Sequence, residues 1–271
     1  MSAEPLSDSH VLLKFRHPEV AHFGRPGQFV MIKAGTSSEP PLRRPVSIMD
    51  VDPVGEVFAL FLKRVGPGTR ALAELRRGDP ALCLGPLGVP FTAPDAGSEA
   101  LLVAGGYGIA PFVLFSKQLL TGGVRTRVFY GGRTAHDLLL RTPFEEQGIP
   151  LTLATEDGSL GSQGLVTAPL AAHLAGRSGA GLFACGPRPM LVAVARLAEE
   201  RGLPAQVSLD PWMGCGLGTC LGCVVQIRRP GEERARYRCA CTEGPVFDAS
   251  TVVWPDLPGG SARRNPSEAG P

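Results

Sequence analysis

The chain lacks any run of about eighteen unbroken apolar residues, so nothing in it reads as a membrane-spanning helix. Its first ten residues, Met1-Ser-Ala-Glu-Pro-Leu-Ser-Asp-Ser-His, lack the basic region and apolar stretch of a secretory signal, and a cytoplasmic protein is expected. An excess of one charge is also missing. Lys and Arg number 27 against 25 Asp and Glu, a net +2, which excludes the field expected of a nucleic-acid or membrane-surface binder. Aromatic residues are scarce at 6%, which gives no support to base stacking. Paired cysteines are missing too. Seven is an odd count, and most fall between Cys215 and Cys241, which argues against a disulfide framework and for a metal or cluster site in a reducing compartment.

What is present is glycine and proline, 35 and 26 residues, as suits a β-rich chain with many turns. A length of 271 residues allows about two domains with cores of their own. Residues 1–96 carry short β-branched and aromatic runs at Val11-Leu-Leu-Lys-Phe-Arg, Gln28-Phe-Val-Met-Ile-Lys, Pro45-Val-Ser-Ile-Met and Val57-Phe-Ala-Leu-Phe-Leu-Lys, separated by Gly, Pro and Asp. A short helix is expected at 72–77, closed by Gly78, then a strand at 81–84 and a turn at Gly85-Pro-Leu-Gly. These read as a small antiparallel barrel. After a linker at 93–98 the pattern changes. Strands are expected at 100–104, 126–130, 150–155 and 181–185, with helices at 112–120, 168–174 and 189–201. That alternation implies a doubly wound α/β domain over 97–207. A cysteine-rich segment follows at 208–250, and a Pro-, Gly- and Ser-rich stretch at 251–271 reads as a disordered tail.

The cysteine-rich segment holds the strongest motif. Cys215, Cys220 and Cys223 stand in Cys-Gly-Leu-Gly-Thr-Cys-Leu-Gly-Cys, the C-x4-C-x2-C spacing of plant-type 2Fe–2S ligation, with a later cysteine as fourth ligand. Gly214, Gly216, Gly218 and Gly222 let the backbone wrap closely. Cys239 and Cys241 both qualify as the fourth ligand, because two positions apart on a strand they share a face. Zinc is the competing reading, but structural zinc sites usually come as two separate Cys pairs. Cys83 reads as core.

Two sites read as nucleotide-binding. In Val103-Ala-Gly-Gly-Tyr-Gly-Ile-Ala-Pro, Gly105, Gly106 and Gly108 permit a tight turn against a pyrophosphate, and Pro111 suits the first turn of the helix that follows. The third glycine of the ordinary dinucleotide fingerprint is absent, and the next strand ends in Gly131-Gly132-Arg133 with no acidic residue. At the end of the last α/β strand, Cys185, Gly186 and Pro187 lie where a ligand crevice opens, and Cys185 can pack on a nicotinamide ring or simply fill the core. In the barrel, Arg43 and Arg44 precede Pro45, Val46 and Ser47. Arginine offers forked bonds to phosphate, although such a pair is ordinarily a solvated turn. Gly68 and Thr69, opening the short helix, offer backbone N–H groups and a hydroxyl to a second phosphate.

In this order the motifs Arg-x-x-Ser, Gly-x-Gly-Thr, Gly-Gly-x-Gly-x-x-Pro and Cys-Gly-Pro-x-Pro-Met resemble the ferredoxin–NADP reductase superfamily. Arg43-Arg-Pro-Val-Ser-Ile, Leu84-Gly-Pro-Leu-Gly, the Met213–Cys223 loop and Cys241-Thr-Glu-Gly-Pro-Val-Phe narrow the resemblance to the electron-transfer subunits of the bacterial NAD-dependent, two-subunit dihydroorotate dehydrogenases, over residues 10 to 250. The resemblance implies a ferredoxin-reductase-like FAD-binding barrel, a doubly wound NAD-binding domain and a small C-terminal 2Fe–2S segment. It implies FAD held by Arg44, Pro45, Val46, Ser47, Gly68 and Thr69, and it favours Cys241 over Cys239. It also implies an FMN-containing catalytic subunit as obligate partner, in a heterotetramer, with the cluster loop near the interface. Val46 and Tyr107 depart from the family, which more often has an aromatic and a small aliphatic residue there. A flavin stands between a one-electron cluster and a two-electron nicotinamide because it alone does both kinds of transfer. The alternatives are a reductase subunit serving a hydrogenase, a sulfite reductase or a ferredoxin:NADP+ transfer complex, and a non-enzymatic zinc-binding interaction protein. NAD and NADP are not distinguished by the residues.

Overall fold

The computed structural model describes residues 2–35, 41–176 and 178–254. Its first domain runs β1 (Ser2–Pro5), β2 (His10–Arg16), α1 (Pro18–Phe23), β3 (Phe29–Ala34), β4 (Arg44–Asp52), β5 (Val57–Lys63), α2 (Pro67–Ala73) and β6 (Ala81–Leu87). The strands pair antiparallel in the order β1-β2-β5-β4-β3-β6. Alternate residues point inward, as a strand's period of two requires. Val11 and Leu13, Val30 and Ile32, Val46 and Ile48, and Phe58 and Leu60 meet in one buried cluster. The sheet wrapped on this core is the expected barrel. Its short helix lies earlier than the expected 72–77. Pro67 opens it and the Thr69 hydroxyl accepts from the Gly66 N–H at 3.1 Å, while Arg76 N–H turns instead onto Asp79. The turn expected at Gly85 is a continuation of β6, which pairs as far as Leu87 with Phe29.

The second domain runs β7 (Glu99–Gly105), a 3-10 turn (Gly106–Ile109), α3 (Ala110–Thr121), β8 (Arg125–Gly132), α4 (Thr142–Glu146), β9 (Leu151–Thr155), β10 (Ser162–Gln163), α5 (Thr167–Leu174), β11 (Ala180–Cys185), α6 (Arg188–Arg201) and β12 (Ala205–Ser208). The C-terminal segment adds β13 (Val224–Ile227), β14 (Arg236–Cys239), α7 (Ala240–Glu243) and β15 (Val246–Asp248). The sheet order is β10-β9-β8-β7-β11-β12-β15, parallel except for β15. The cysteine-rich segment therefore returns a strand to the nucleotide domain. On β7, Leu102 and Ala104 face the α3 layer, while Leu101 and Val103 face α5 and α6. Both faces are covered, which is why the strand reads as one apolar run.

Both later units pack on the barrel. Met49, Ala59 and Phe61, on its outer face, join Phe112 and Phe115 of α3 in a shared core. Lys117 pairs with Asp50 at 2.6 Å and Lys63 with Asp137 at 3.3 Å across the same junction. Phe29 and Met31 carry Met213, Cys223, Cys241 and Phe247 of the cysteine-rich segment. β3 is thus buried on both faces. The first residues of the expected tail, 251–254, are packed onto the fold. Val252 bridges to Ile227, and Trp254 is 3% exposed with its indole N–H on the Ala249 carbonyl at 3.0 Å. The rest of that expected tail, 255–271, lies outside the described residues. Among the described residues, no helix is long and apolar enough to cross a membrane.

Trp254→Ala removes a large buried ring that belongs to the second domain's core. Thermal or urea unfolding is expected to show a loss of about 3–5 kcal/mol. An unchanged midpoint would show that the chain is not anchored there.

Candidate functional site

The strand order reverses between β7 and β11, the place where ligands bind in open α/β sheets. The loops leaving these two strands touch backbone to backbone. A Cβ on Gly108 would stand 2.3 Å from the Cys185 carbonyl oxygen, and one on Gly105 would stand 2.5 Å from Pro187. Gly106 takes φ +53 and faces open space. Gly106 and Gly108 lie within the 3-10 turn that leads into α3, Pro111 lies in the first turn of α3, and no side chain caps that end. The Ala110 N–H is taken by the Tyr107 carbonyl and Pro111 has none, so what this end offers an anion is the positive pole of the helix dipole. Gly105, Gly106, Gly108, Pro111, Gly186 and Pro187 are all brought to this crevice.

Cys185 ends β11 and is 9% exposed. Burial first, then the Asp210 carboxylate, push its thiol up to about 12, against a bond to the Ser208 side chain. It stays a neutral thiol at physiological pH, suited to packing and not to nucleophilic attack. Two further residues meet it here. The Tyr107 hydroxyl donates to Asp210 Oδ2 at 3.5 Å. Tyr107 is half exposed at the crevice mouth, yet the surrounding protein and Asp210 raise its phenol to about 12. The Asp210 carboxyl, open to the mouth but ringed by protein, is also raised by burial. Sequence spacing gave no signal for Asp210. It is a lone acid that only the path from β12 to the cysteine loop brings beside Tyr107.

In the barrel, the Arg44 side chain lies across Gly68. A Cβ there would meet Arg44 Nε at 2.4 Å, so only glycine admits this contact. Arg44 is thus held at the opening turn of α2. Thr69 is turned inward. Its hydroxyl accepts from Val65 and Gly66 N–H at 2.9 and 3.1 Å and donates to the Gly66 carbonyl at 3.1 Å, which shapes the turn but spends the hydroxyl expected for phosphate. Arg43 Nε is buried with no partner among the described residues, an orphaned donor of the kind a phosphate satisfies. Val46 points into the barrel core. Pro45 and Ser47 are half-buried and pair across β3 with Met31 and Phe29. This arginine set and glycine cradle fit a flavin dinucleotide.

The cysteine loop sits on the other side of that same β3. Gly216, at φ +76, rests on Met31, whose Cγ would be 2.4 Å from a Cβ at 216. The strand that carries the flavin motif, β4, is thus the direct neighbour, about 5 Å away, of the strand on which the cysteine loop rests. Backbone N–H groups point at the sulfurs: Leu217 to Cys215 at 3.3 Å, Gly218 to Cys241 at 3.2 Å and Gly222 to Cys220 at 3.5 Å. Cys215 is held down to about 5 by the Thr219 hydroxyl, the Leu217 N–H and Cys220. Burial, first, pushes Cys241 up to about 12, with Cys223 beside it. Cys215 thus contacts Cys220, while Cys223 contacts both Cys241 and Cys239. Among the described residues, no three His, Cys, Asp or Glu side chains close on one point as a tetrahedral ion requires. Clustered thiols with N–H donors fit a binuclear iron–sulfur cluster. Cys239 ends β14 whereas Cys241 lies inside α7, so the two do not share a strand face. Arg238 ties the β13–β14 hairpin to α7 through Glu232 and Glu243. Cys220 is exposed, within a segment that also exposes Trp212, Leu217 and Leu221.

Gly216→Ala adds a methyl group against Met31 at a positive φ. The variant is expected to lose about 2 kcal/mol or more and to bind less iron, read by thermal melts and iron assay. A variant with full iron and an unchanged melt would contradict the close seat.

Two family models match the chain. The iron–sulfur cluster binding domain of dihydroorotate dehydrogenase B matches residues 210–253. The oxidoreductase NAD-binding domain matches residues 102–196. The chain is 38% identical to the dihydroorotate dehydrogenase B (NAD(+)) electron transfer subunit of Desulforamulus reducens, over 89% of this chain and 92% of the relative. It is 40% identical to the subunit of the same name from Bacillus caldolyticus, over 86% and 89%. Among solved structures it is similar to a chain of an NADH-dependent reduced ferredoxin-NADP oxidoreductase, with TM-score 0.83, 31% identity and coverage of 95% and 90%.

Proposed function

Because the chain belongs to the family of dihydroorotate dehydrogenase B electron transfer subunits, we infer that it carries electrons from dihydroorotate oxidation in a partner subunit to NAD+. The net reaction of the complex is dihydroorotate plus NAD+ giving orotate, NADH and H+. The observation that carries this reading is the shared strand β3, with the flavin motif beside it and the cysteine loop on its outer face.

When bound, the 2Fe–2S cluster supplies one-electron transfer, FAD converts single electrons to pairs, and NAD+ accepts a hydride. The protein's part is to hold these groups close and dry. Cys215, Cys220, Cys223 and Cys241 are the proposed cluster ligands, with N–H groups on three of the sulfurs compensating their charge. Arg44 and Arg43 take the flavin phosphates, Gly68 and Thr69 shape the turn beside them, and Pro45 and Ser47 line the flavin along β4, with Val46 between them anchoring the strand in the barrel core. Gly105, Gly106, Gly108 and Pro111 take the NAD pyrophosphate at the start of α3. Gly186 and Pro187 shape the opposing loop, and Cys185 packs against the nicotinamide as a neutral thiol. Tyr107, tied to Asp210, covers the crevice mouth and excludes water.

The exposed apolar residues Trp212, Leu217 and Leu221 about exposed Cys220 form the proposed seat of the FMN-containing catalytic subunit. All seven cysteines are free, which supports a reducing cytoplasmic setting. The likeness to the ferredoxin-linked oxidoreductase gives a second reading, transfer to ferredoxin through the same architecture.

Anaerobic mixing of the holoprotein with the catalytic subunit is expected to give dihydroorotate-dependent NADH formation that stops when either is withdrawn. Flavin and cluster present, NADH oxidation by an artificial acceptor, but no response to dihydroorotate would favour the second reading.

For the ligands, Cys241→Ser is expected to lose most of its iron and visible cluster absorbance. Cys239→Ser is expected to keep both. The reverse pattern would show that the fourth ligand has been misassigned.

A further inference from the structure

Cys239 is a fifth cysteine at the cluster loop, and the reading above leaves it without a task. It closes β14 and pairs in register with Val224, next to Cys223. The Ala240 N–H that follows it binds the Cys223 carbonyl at 3.0 Å, so its backbone is fixed beside that ligand. Its Sγ donates to the Gly218 carbonyl at 3.8 Å. That bond requires a proton on the sulfur, because a thiolate beside a carbonyl oxygen would meet only repulsion.

Gly218 is the residue on the other end of that bond. Its own N–H donates to Cys241 Sγ at 3.2 Å. Its φ is +79, and it lies against Thr242, whose Cγ2 would be 3.1 Å from a Cβ there. The C-terminal turn therefore grips Gly218 twice, by Thr242 packing and by the Cys239 thiol, and the result is an N–H aimed at a ligand sulfur. Hydrogen bonds to ligand sulfurs stabilise the more negative, reduced form of a cluster and raise its potential.

We propose that Cys239 is a positioning residue outside the ligand set, whose thiol holds Gly218 so that its N–H stays on the Cys241 sulfur, and that it thereby raises the reduction potential of the cluster. This rests on the assignment of Cys241 as the fourth ligand.

The test is an EPR-monitored redox titration of the anaerobic holoprotein and its Cys239→Ala and Cys239→Ser variants, with iron assayed on each. Cys239→Ala is expected to keep full iron but show a several-fold lower ratio of reduced to oxidised cluster at a fixed ambient potential. Cys239→Ser, which retains a donor, is expected to recover most of that loss. An unchanged ratio in the alanine variant, or an equal loss in both, would overturn the proposal while leaving the ligand set standing. Iron lost from both Cys239 variants but kept in Cys241→Ser would instead overturn the ligand assignment. Should Cys239→Ala not fold, the infrared S–H stretch of wild type minus Cys239→Ser decides. A difference band from a hydrogen-bonded thiol is expected, and its absence contradicts a protonated Cys239.

Discussion

The contact of the cysteine loop with β3 governs the rest of the arrangement. Gly216 can rest on Met31 because it has no side chain and takes a positive φ. This seat places the loop's thiols over a strand whose neighbour, β4, carries the flavin motif. Electron tunnelling falls off steeply with distance, so a cluster must lie close to the flavin it serves. The burial of Phe29 and Met31 on one face of β3, and of Val30 and Ile32 on the other, secures that closeness by ordinary packing. β15 then locks the segment to the nucleotide domain through β12. The three units so share a set of buried surfaces, and the site at their junction is held by rigid elements.

Much of this was legible in the sequence where local chemistry decides. β5 spans Val57–Lys63, as its β-branched and aromatic apolar run indicates. The buried β7 run and the glycine turn after it fall where expected. Other features depend on partners distant in the chain. β1 is four residues with little apolar content, and it exists because β2 offers it an edge. α2 began earlier than its apolar pattern indicates, because Thr69 and Pro67 set its start. The packing of Trp254 follows from a pocket formed by the second domain's core, to which nothing in the local Pro-rich composition points.

The candidate site shows the same division. The cysteine spacing and the glycines reported the cluster loop directly, since ligation and tight turning demand those residue types. The choice between Cys239 and Cys241 was not readable, because it depends on the chain turning from strand to helix between them. Thr69 was legible as a turn residue, but the inward direction of its hydroxyl was not. The Tyr107–Asp210 contact joins residues more than a hundred positions apart, and no motif foretells it.

This one chain connects nicotinamide to cluster through flavin, and anaerobic addition of NADH to the isolated holoprotein, followed by rapid freezing and EPR, tests that connection. The account predicts that the flavin bleaches first and that the signal of a reduced 2Fe–2S cluster then grows at the same rate at every protein concentration, as transfer within one molecule requires. Bleached flavin with a cluster that stays oxidised, or is reduced only at a rate that rises with protein concentration, would contradict it.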